Sequence, residues 1–371
     1  MNTINLSRRR FAQLLGAGAA AAVARPALGL AREPVKPSAV TSAVVRLSSN
    51  ENPYGPSPKA LKAITQAFDL ACRYPDEHAD LLVDALAKND GVESEQILLG
   101  AGSGEILKIA ANAFTGPEAT LVVADPTFEA LAGHASRRGA EVVKVPLTSE
   151  FTHDLAKMAA TPKAGLVYIC NPNNPTASIT PKSEVRDFIA SAPRETMILV
   201  DEAYHHFVDS PDYESVIPLI REHPNLIVAR TFSKIYGMAG MRCGYCIAQP
   251  DVIKRMQPHQ LFDSVNISAL VASIASVADA EQVANGRRLN SEARTFTLRE
   301  LEKMGHSAIP SQANFIMFDL KRPVVPVIAA MKERKVVVGR LFPALPNHMR
   351  VTIGKKSEME AFVAAFRSVM A

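Results

Sequence analysis

Lys234 closes Thr231-Phe232-Ser233-Lys234, after a strand-like run, with Arg242 eight residues further on. Two hydroxyls, an arginine and the flexible Gly237 and Gly240 suit a lysine held in a partly desolvated pocket as a Schiff-base nucleophile. Desolvation and nearby positive charge lower an amine's pKa and leave more of it neutral for attack on an aldehyde. A solvated surface lysine is the plain alternative. Asp201 follows the apolar run Met197-Ile198-Leu199-Val200. An ionised carboxylate at the end of a buried strand needs a cationic or hydrogen-bonding partner, and a protonated pyridine nitrogen would serve. Asp201-Glu202-Ala203-Tyr204-His205 also looks like a helicase acidic motif, but the G-x-x-x-x-G-K-[ST] phosphate loop such an enzyme requires is missing from the sequence.

Gly100-Ala101-Gly102-Ser103-Gly104-Glu105 follows an apolar run and opens a helical stretch. Its backbone N–H groups and the helix N-terminus suit a phosphate. The third glycine of a dinucleotide fingerprint is missing, so a plain tight turn and a phosphate loop both remain open. Asn171-Pro172-Asn173-Asn174-Pro175-Thr176 reads either as a proline-ordered turn or as a rigid mount for an amide donor to a ligand oxygen. Cys243 and Cys246 form a C-x-x-C, but within the strand-like Met241–Ala248 positions i and i+3 face opposite ways. They read as packing thiols, and no metal site is expected.

These residues must be positioned by an α/β scaffold. Runs 96–99, 119–124, 141–145, 164–170, 196–200 and 225–229 read as strands buried on both faces, with helical stretches at 104–114, 128–138 and 181–190 between them. That alternation predicts a mostly parallel sheet, which binds ligands at the carboxyl ends of its strands. Ser57 and Pro58 mark a helix start. Helical stretches at 267–278 and 281–304, strands at 314–319, 336–338 and 349–353, and a helix from about 356 predict a smaller α+β domain. The expected division is a signal at 1–31, an N-terminal arm with part of the small domain at 32–75, a large cofactor-binding domain at 76–265 and a small C-terminal domain at 266–371.

The 371 residues, 47% hydrophobic and 21% charged, suit one large or two medium domains. The formal charge of +4 resides wholly in residues 1–31, through Arg8, Arg9, Arg10 and Arg25; the other 37 Lys and Arg match 37 Asp and Glu. A neutral body lacks the clustered cations of a nucleic-acid partner. Residues 1–31 read as an export signal: a basic start, an apolar run and small residues near Ala27 and Ala31. Ser7-Arg8-Arg9-Arg10-Phe11 is similar to a twin-arginine signal, which implies periplasmic or exported protein that crosses folded, with no stable membrane insertion once the signal is removed.

Taken together, the strings resemble the fold type I pyridoxal-phosphate enzymes, and within them the histidinol-phosphate aminotransferase group. The matching segments run in the family's order over about 300 residues: Asn50-Glu51-Asn52-Pro53-Tyr54-Gly55, Gly100 to Glu105, Asp125-Pro126-Thr127-Phe128, Asn171 to Thr176, Asp201 to Tyr204, Thr231 to Lys234 with Arg242, and Arg350-Val351-Thr352-Ile353-Gly354. The resemblance implies that Lys234 binds pyridoxal 5′-phosphate as a Schiff base and shuttles the Cα proton, while Asp201 pairs with the pyridinium nitrogen. It implies that Asn174 and Tyr204 hydrogen-bond the cofactor's phenolic oxygen and that Phe128 stacks on its ring. Gly102, Ser103, Thr231, Ser233 and Arg242 would hold its phosphate. Tyr54 would reach the neighbouring subunit's site, making a homodimer, and Arg350 would clamp a substrate carboxylate beside Tyr54 and Asn174. Three positions depart from the family's pattern: Ala177 replaces a glycine, Gly104 an acidic residue and Phe128 a common tyrosine. The expected reaction moves an amine to a 2-oxo acid. Decarboxylation, as in the threonine-phosphate decarboxylases, and a non-catalytic binding module are the alternatives.

Overall fold

The computed structural model describes residues 44–371, so the segment read as an export signal and the start of the arm lie outside the described residues. The chain runs β1 (Val45–Arg46), α1 (Pro58–Gln66), α2 (Asp76–Asp90), β2 (Ile97–Gly100), α3 (Ser103–Phe114), β3 (Thr120–Asp125), α4 (Ala130–Arg137), β4 (Val142–Pro146), α5 (Leu155–Ala159), β5 (Ala164–Cys170), α6 (Lys182–Ser191), β6 (Met197–Asp201), β7 (Leu226–Thr231) and β8 (Gly244–Ala248). It continues through α7 (Pro250–Met256), α8 (Ile267–Val277), α9 (Ala280–Lys303), β9 (Phe315–Asp319), α10 (Val324–Glu333), β10 (Val336–Val337), β11 (His348–Thr352) and α11 (Lys356–Met370). Ser57 caps α1 by accepting the Ala60 N–H, with Pro58 in the first turn, as their order implies.

Seven strands form one sheet in the order β2-β8-β7-β6-β5-β3-β4, parallel except for β8, which runs against both its neighbours. Alternate side chains enter two separate cores. Val167, Ile169, Ile198, Val200 and Val228 pack on one face, while Leu166, Tyr168, Cys170, Leu199 and Ala229 pack on the other against α3. Cover on both faces is why these strands read as continuous apolar runs. The strand at 141–145 departs from that expectation: β4 is the sheet's edge and leaves four of its five residues wholly or partly exposed. Cys243 and Cys246 fall into opposite cores as unpaired, buried thiols.

A third core gathers β9, β11, α10 and α11, and Leu47 of the N-terminal arm joins it. Ala60 of α1 and Ala269, Leu270 and Ala272 of α8 instead belong to the large core beneath the sheet. The arm threads beside β11, with the Thr352 N–H donating to the Leu47 carbonyl at 2.9 Å and the Asn50 N–H to the Thr352 hydroxyl at 2.9 Å.

Candidate active site

The carboxyl ends of β2, β5, β6 and β7 share one edge of the sheet, and register determines what meets there. Gly244 opposes both Gly100 and Thr231, so the turn after β2, the Arg242 segment before β8 and the hydroxyls after β7 converge. A Cβ on Gly244 would stand 2.4 Å from the Ser103 nitrogen, so this approach needs glycine. Asp201 opposes Cys170 on one side and Ala229 on the other.

The first cluster is built for an anion. Helix α3 starts at Ser103 with Gly102, at φ 81°, as an N-cap without a side-chain bond, which leaves first-turn N–H groups for a ligand. The Arg242 guanidinium lies over this turn, where a Cβ on Gly102 would come within 2.3 Å of it. Arg242 itself adopts φ 61°, an unfavourable conformation for a side chain of its size, and donates to the Ala239 carbonyl at 2.9 Å and the Ser233 hydroxyl at 3.4 Å. Thr231 donates to the Ser233 hydroxyl at 2.9 Å.

The second cluster surrounds Lys234. Its Nζ donates to the Asn50 carbonyl at 3.2 Å and lies 5.4 Å from the centre of the Tyr204 ring. Burial, helped by the Arg350 charge, lowers its pKa to about 8, opposed by Asp201 and Glu51. The Tyr204 hydroxyl accepts from Asn50 at 3.1 Å and Asn174 at 3.4 Å, and burial pushes its pKa up. Asp201 is buried with its pKa raised to about 6 by desolvation, against the donors Tyr168 and Ala203. Arg350 donates to the Asn174 side-chain oxygen at 2.7 Å and to the Ser48 carbonyl at 2.6 Å, while its buried Nε has no partner.

Ser103, Phe128, Asn174, Asp201, Tyr204, Thr231, Ser233, Lys234, Arg242 and Arg350 all line a single cavity of about 710 Å³; Gly102 does not line it, but caps the helix that starts at Ser103. Tyr54 does not line it; the residue is 43% exposed, and its ring centre lies 5.8 Å from the Lys355 ammonium. Sequence reasoning assigned no role to Asn50, although its φ of 54° and its bonds to Tyr204 and Lys234 place it at the centre of the site. Its position in the Asn-Glu-Asn-Pro-Tyr-Gly string was the available signal. Arg340, paired with Glu129, and Phe342 also line the cavity and carried no local sequence signal.

An uncapped helix N-terminus with an arginine and two hydroxyls, a buried carboxylate and a desolvated lysine between them fit pyridoxal 5′-phosphate. Arg350 lines the same cavity as a buried cation, with its Nε unpartnered. Architecture and site together define a fold type I pyridoxal-phosphate-dependent enzyme. The chain belongs to the class I and II aminotransferase family, whose model matches residues 42–366.

It is 39% identical over 333 residues to a histidinol-phosphate aminotransferase of Moorella thermoacetica, covering 88% of this chain and 86% of that protein. The crystal structure of histidinol-phosphate aminotransferase from Sinorhizobium meliloti in complex with pyridoxal-5′-phosphate is 27% identical, with a TM-score of 0.83 over 88% of this chain and 91% of that one. L-threonine-O-3-phosphate decarboxylase from Porphyromonas gingivalis shares the fold at 22% identity and a TM-score of 0.78, covering 88% and 99% of the chains. The cofactor is pyridoxal 5′-phosphate and the reaction is transamination between an amino donor and a 2-oxo acid.

Proposed function

We propose that the amino donor is histidinol phosphate or an amine of the same kind, with a distal anion, and that a 2-oxo acid receives the amine at the same site. The observation that carries this reading is Arg350, a buried cation lining the cavity, held through Nη1 on Asn174 and through Nη2 on the arm, with its Nε unpartnered. Arg340, at the cavity mouth beside Phe342, adds positive charge there. The similarity to histidinol-phosphate aminotransferases supports the choice.

Bound pyridoxal phosphate supplies an aldehyde and an electron-accepting ring that stabilises negative charge at the substrate Cα. Lys234, with its pKa lowered to about 8, moves the proton at Cα through Nζ. Asp201 would accept from a protonated ring nitrogen and keep that proton in place. Asn174 and Tyr204 would hydrogen-bond the ring oxygen, and Phe128 would lie against the ring. The α3 N-terminus with Gly102, Ser103, Thr231, Ser233 and Arg242 binds the phosphate. Arg350 orients the substrate acid, which limits the bond that can break at Cα.

The active unit in this reading is a homodimer, with Tyr54 reaching the neighbouring site. Exposed Leu61, Phe68, Tyr74, Leu81 and Phe262, from elements around α1, α2 and the segment before α8, supply apolar surface for that contact. Export through the twin-arginine pathway rests on residues 1–31; Arg8→Lys with Arg9→Lys should retain the protein in the cytoplasm, and unaltered export would refute it.

The test is a donor screen of the purified, cofactor-loaded protein with histidinol phosphate and with aromatic, basic and phosphorylated amino acids, followed by mass spectrometry. Conversion of 2-oxoglutarate to glutamate with histidinol phosphate is expected. Loss of CO2 from a phosphorylated amino acid without amine transfer would instead favour decarboxylation. Lys234→Ala should abolish turnover.

A further inference from the structure

Asp201 is held from behind by a residue that none of the motifs contains. Tyr168 lies on β5, two residues before Cys170, and its register partner is Leu199, two residues before Asp201. Side chains two apart share a face, so Tyr168 and Asp201 are diagonal neighbours within reach of a long aromatic side chain. The Tyr168 phenol donates to Asp201 Oδ2 at 2.9 Å, and the Ala203 N–H donates to Oδ1 at 3.0 Å. Each carboxylate oxygen thus has one fixed protein donor, while Asp201 also lines the cavity.

We infer that Tyr168 is a positioning residue for transamination, whose phenol fixes the Asp201 carboxylate as an acceptor towards the cofactor's ring nitrogen. The inference rests on the assignment of Asp201 as the ring-nitrogen partner. Burial together with Asp201 pushes the Tyr168 pKa well up, so the phenol keeps its proton and remains a donor. A hydrogen bond to the charged form of a carboxylate favours that form, and Tyr168 is the leading opponent of the desolvation that raises Asp201. The other ionisable groups facing Asp201 are Cys170 on β5, the adjoining Glu202, Tyr204, Tyr213 and Lys234. The Cys170 thiol donates instead to the Pro172 carbonyl at 3.4 Å, so it does not replace the phenol's bond.

The test is Tyr168→Phe, which keeps the ring and removes the donor. Titrating apoprotein with pyridoxal phosphate between pH 5.5 and 8.5 gives a dissociation constant and the pH below which affinity falls. With the donor gone, this midpoint should rise by about one unit, and affinity at the wild-type midpoint should fall about fivefold, approaching tenfold only well below it. In an Asp201→Asn background the same substitution should change affinity less than twofold. A midpoint that stays in place, even with a lower melting temperature, would overturn the inference by leaving Tyr168 only a packing role. If the Phe variant does not fold, 3-fluorotyrosine at position 168, a stronger donor of similar size, should lower the midpoint; no movement would be equally fatal. Wild-type protein that binds no cofactor would instead refute the assignment of Asp201 on which the inference rests.

Discussion

Replacing Arg230 by methionine tests how the two catalytic strand ends are held together. Arg230 precedes Thr231 and Glu202 follows Asp201, so both point away from the cofactor side. The guanidinium donates twice to Glu202 Oε2, at 3.0 and 2.8 Å, once to Asp90 Oδ1 at 2.8 Å and once to Ser215 at 2.9 Å. The side chains are 9%, 1% and 3% exposed for Arg230, Glu202 and Asp90, so water replaces little of what is lost. Asp90 also accepts from Tyr245 at 2.8 Å, and Glu202 from the Val216 N–H at 2.9 Å, which keeps both carboxylates in place when the cation goes. Breaking a buried pair costs about 3–5 kcal/mol because a charge is stranded. With two carboxylates involved, Arg230→Met should fall at the upper end, about 4–5 kcal/mol by urea denaturation. Arg230→Met with Glu202→Gln should recover part of it, with a coupling of about 1–3 kcal/mol. A loss below about 1 kcal/mol, or strict additivity of the two substitutions, would refute the view that this cluster ties β6, β7 and α2 together.

Acid should weaken the apoprotein. Burial lowers His153 to about 4 and His206 to about 3, so the unfolded chain takes up protons first as pH falls through 6.5. Each histidine's contribution is complete above about pH 6.5 and is lost towards its folded value, on the order of 3–5 kcal/mol apiece, whereas Asp201 with its raised value acts in the opposite direction below pH 6. Stability that is flat between about pH 7.5 and 5 would contradict this. Arg350→Lys keeps the charge but loses the two-pronged hold on Asn174 and Ser48, so kcat/KM for an acidic substrate should fall about 30-fold, roughly 2 kcal/mol, with cofactor affinity unchanged. Equal loss of cofactor affinity would show that Arg350 serves the cofactor instead. Ala177, directly after Asn174-Pro175-Thr176, adopts φ 62° and is wholly buried. Relief of about 1–2 kcal/mol of left-handed strain offsets a lost methyl of about 0.8 kcal/mol and glycine's entropy, so Ala177→Gly should change stability by less than about 1 kcal/mol. A loss of about 2 kcal/mol in thermal denaturation would show that the methyl's packing dominates.

The parallel strands were legible because β3, β5, β6 and β7 are apolar on both faces, and Asp201, Thr231 and Lys234 stand where such strands end. β4 misled the same reasoning: Val142, Val143 and Val145 suggested cover on both faces, but Lys144 and Pro146 stand exposed at the sheet's edge, and strand order is not encoded in local hydropathy. The 15-residue α2 went unmarked, since only Leu82, Leu86 and Ala87 are buried on a helix with six charged residues.

Motifs determined which chemistry was available, because a phosphate turn, a strand-end carboxylate and a flanked lysine each need a particular side chain at a short, local spacing. Only the tertiary structure decided that Asn50 and Ser48, some 300 residues from Arg350, would fix that arginine's surroundings, and that Tyr168 would stand behind Asp201. Those contacts depend on strand register and on the arm lying beside β11. Both are set by packing summed over whole elements, so no short stretch of sequence contains them.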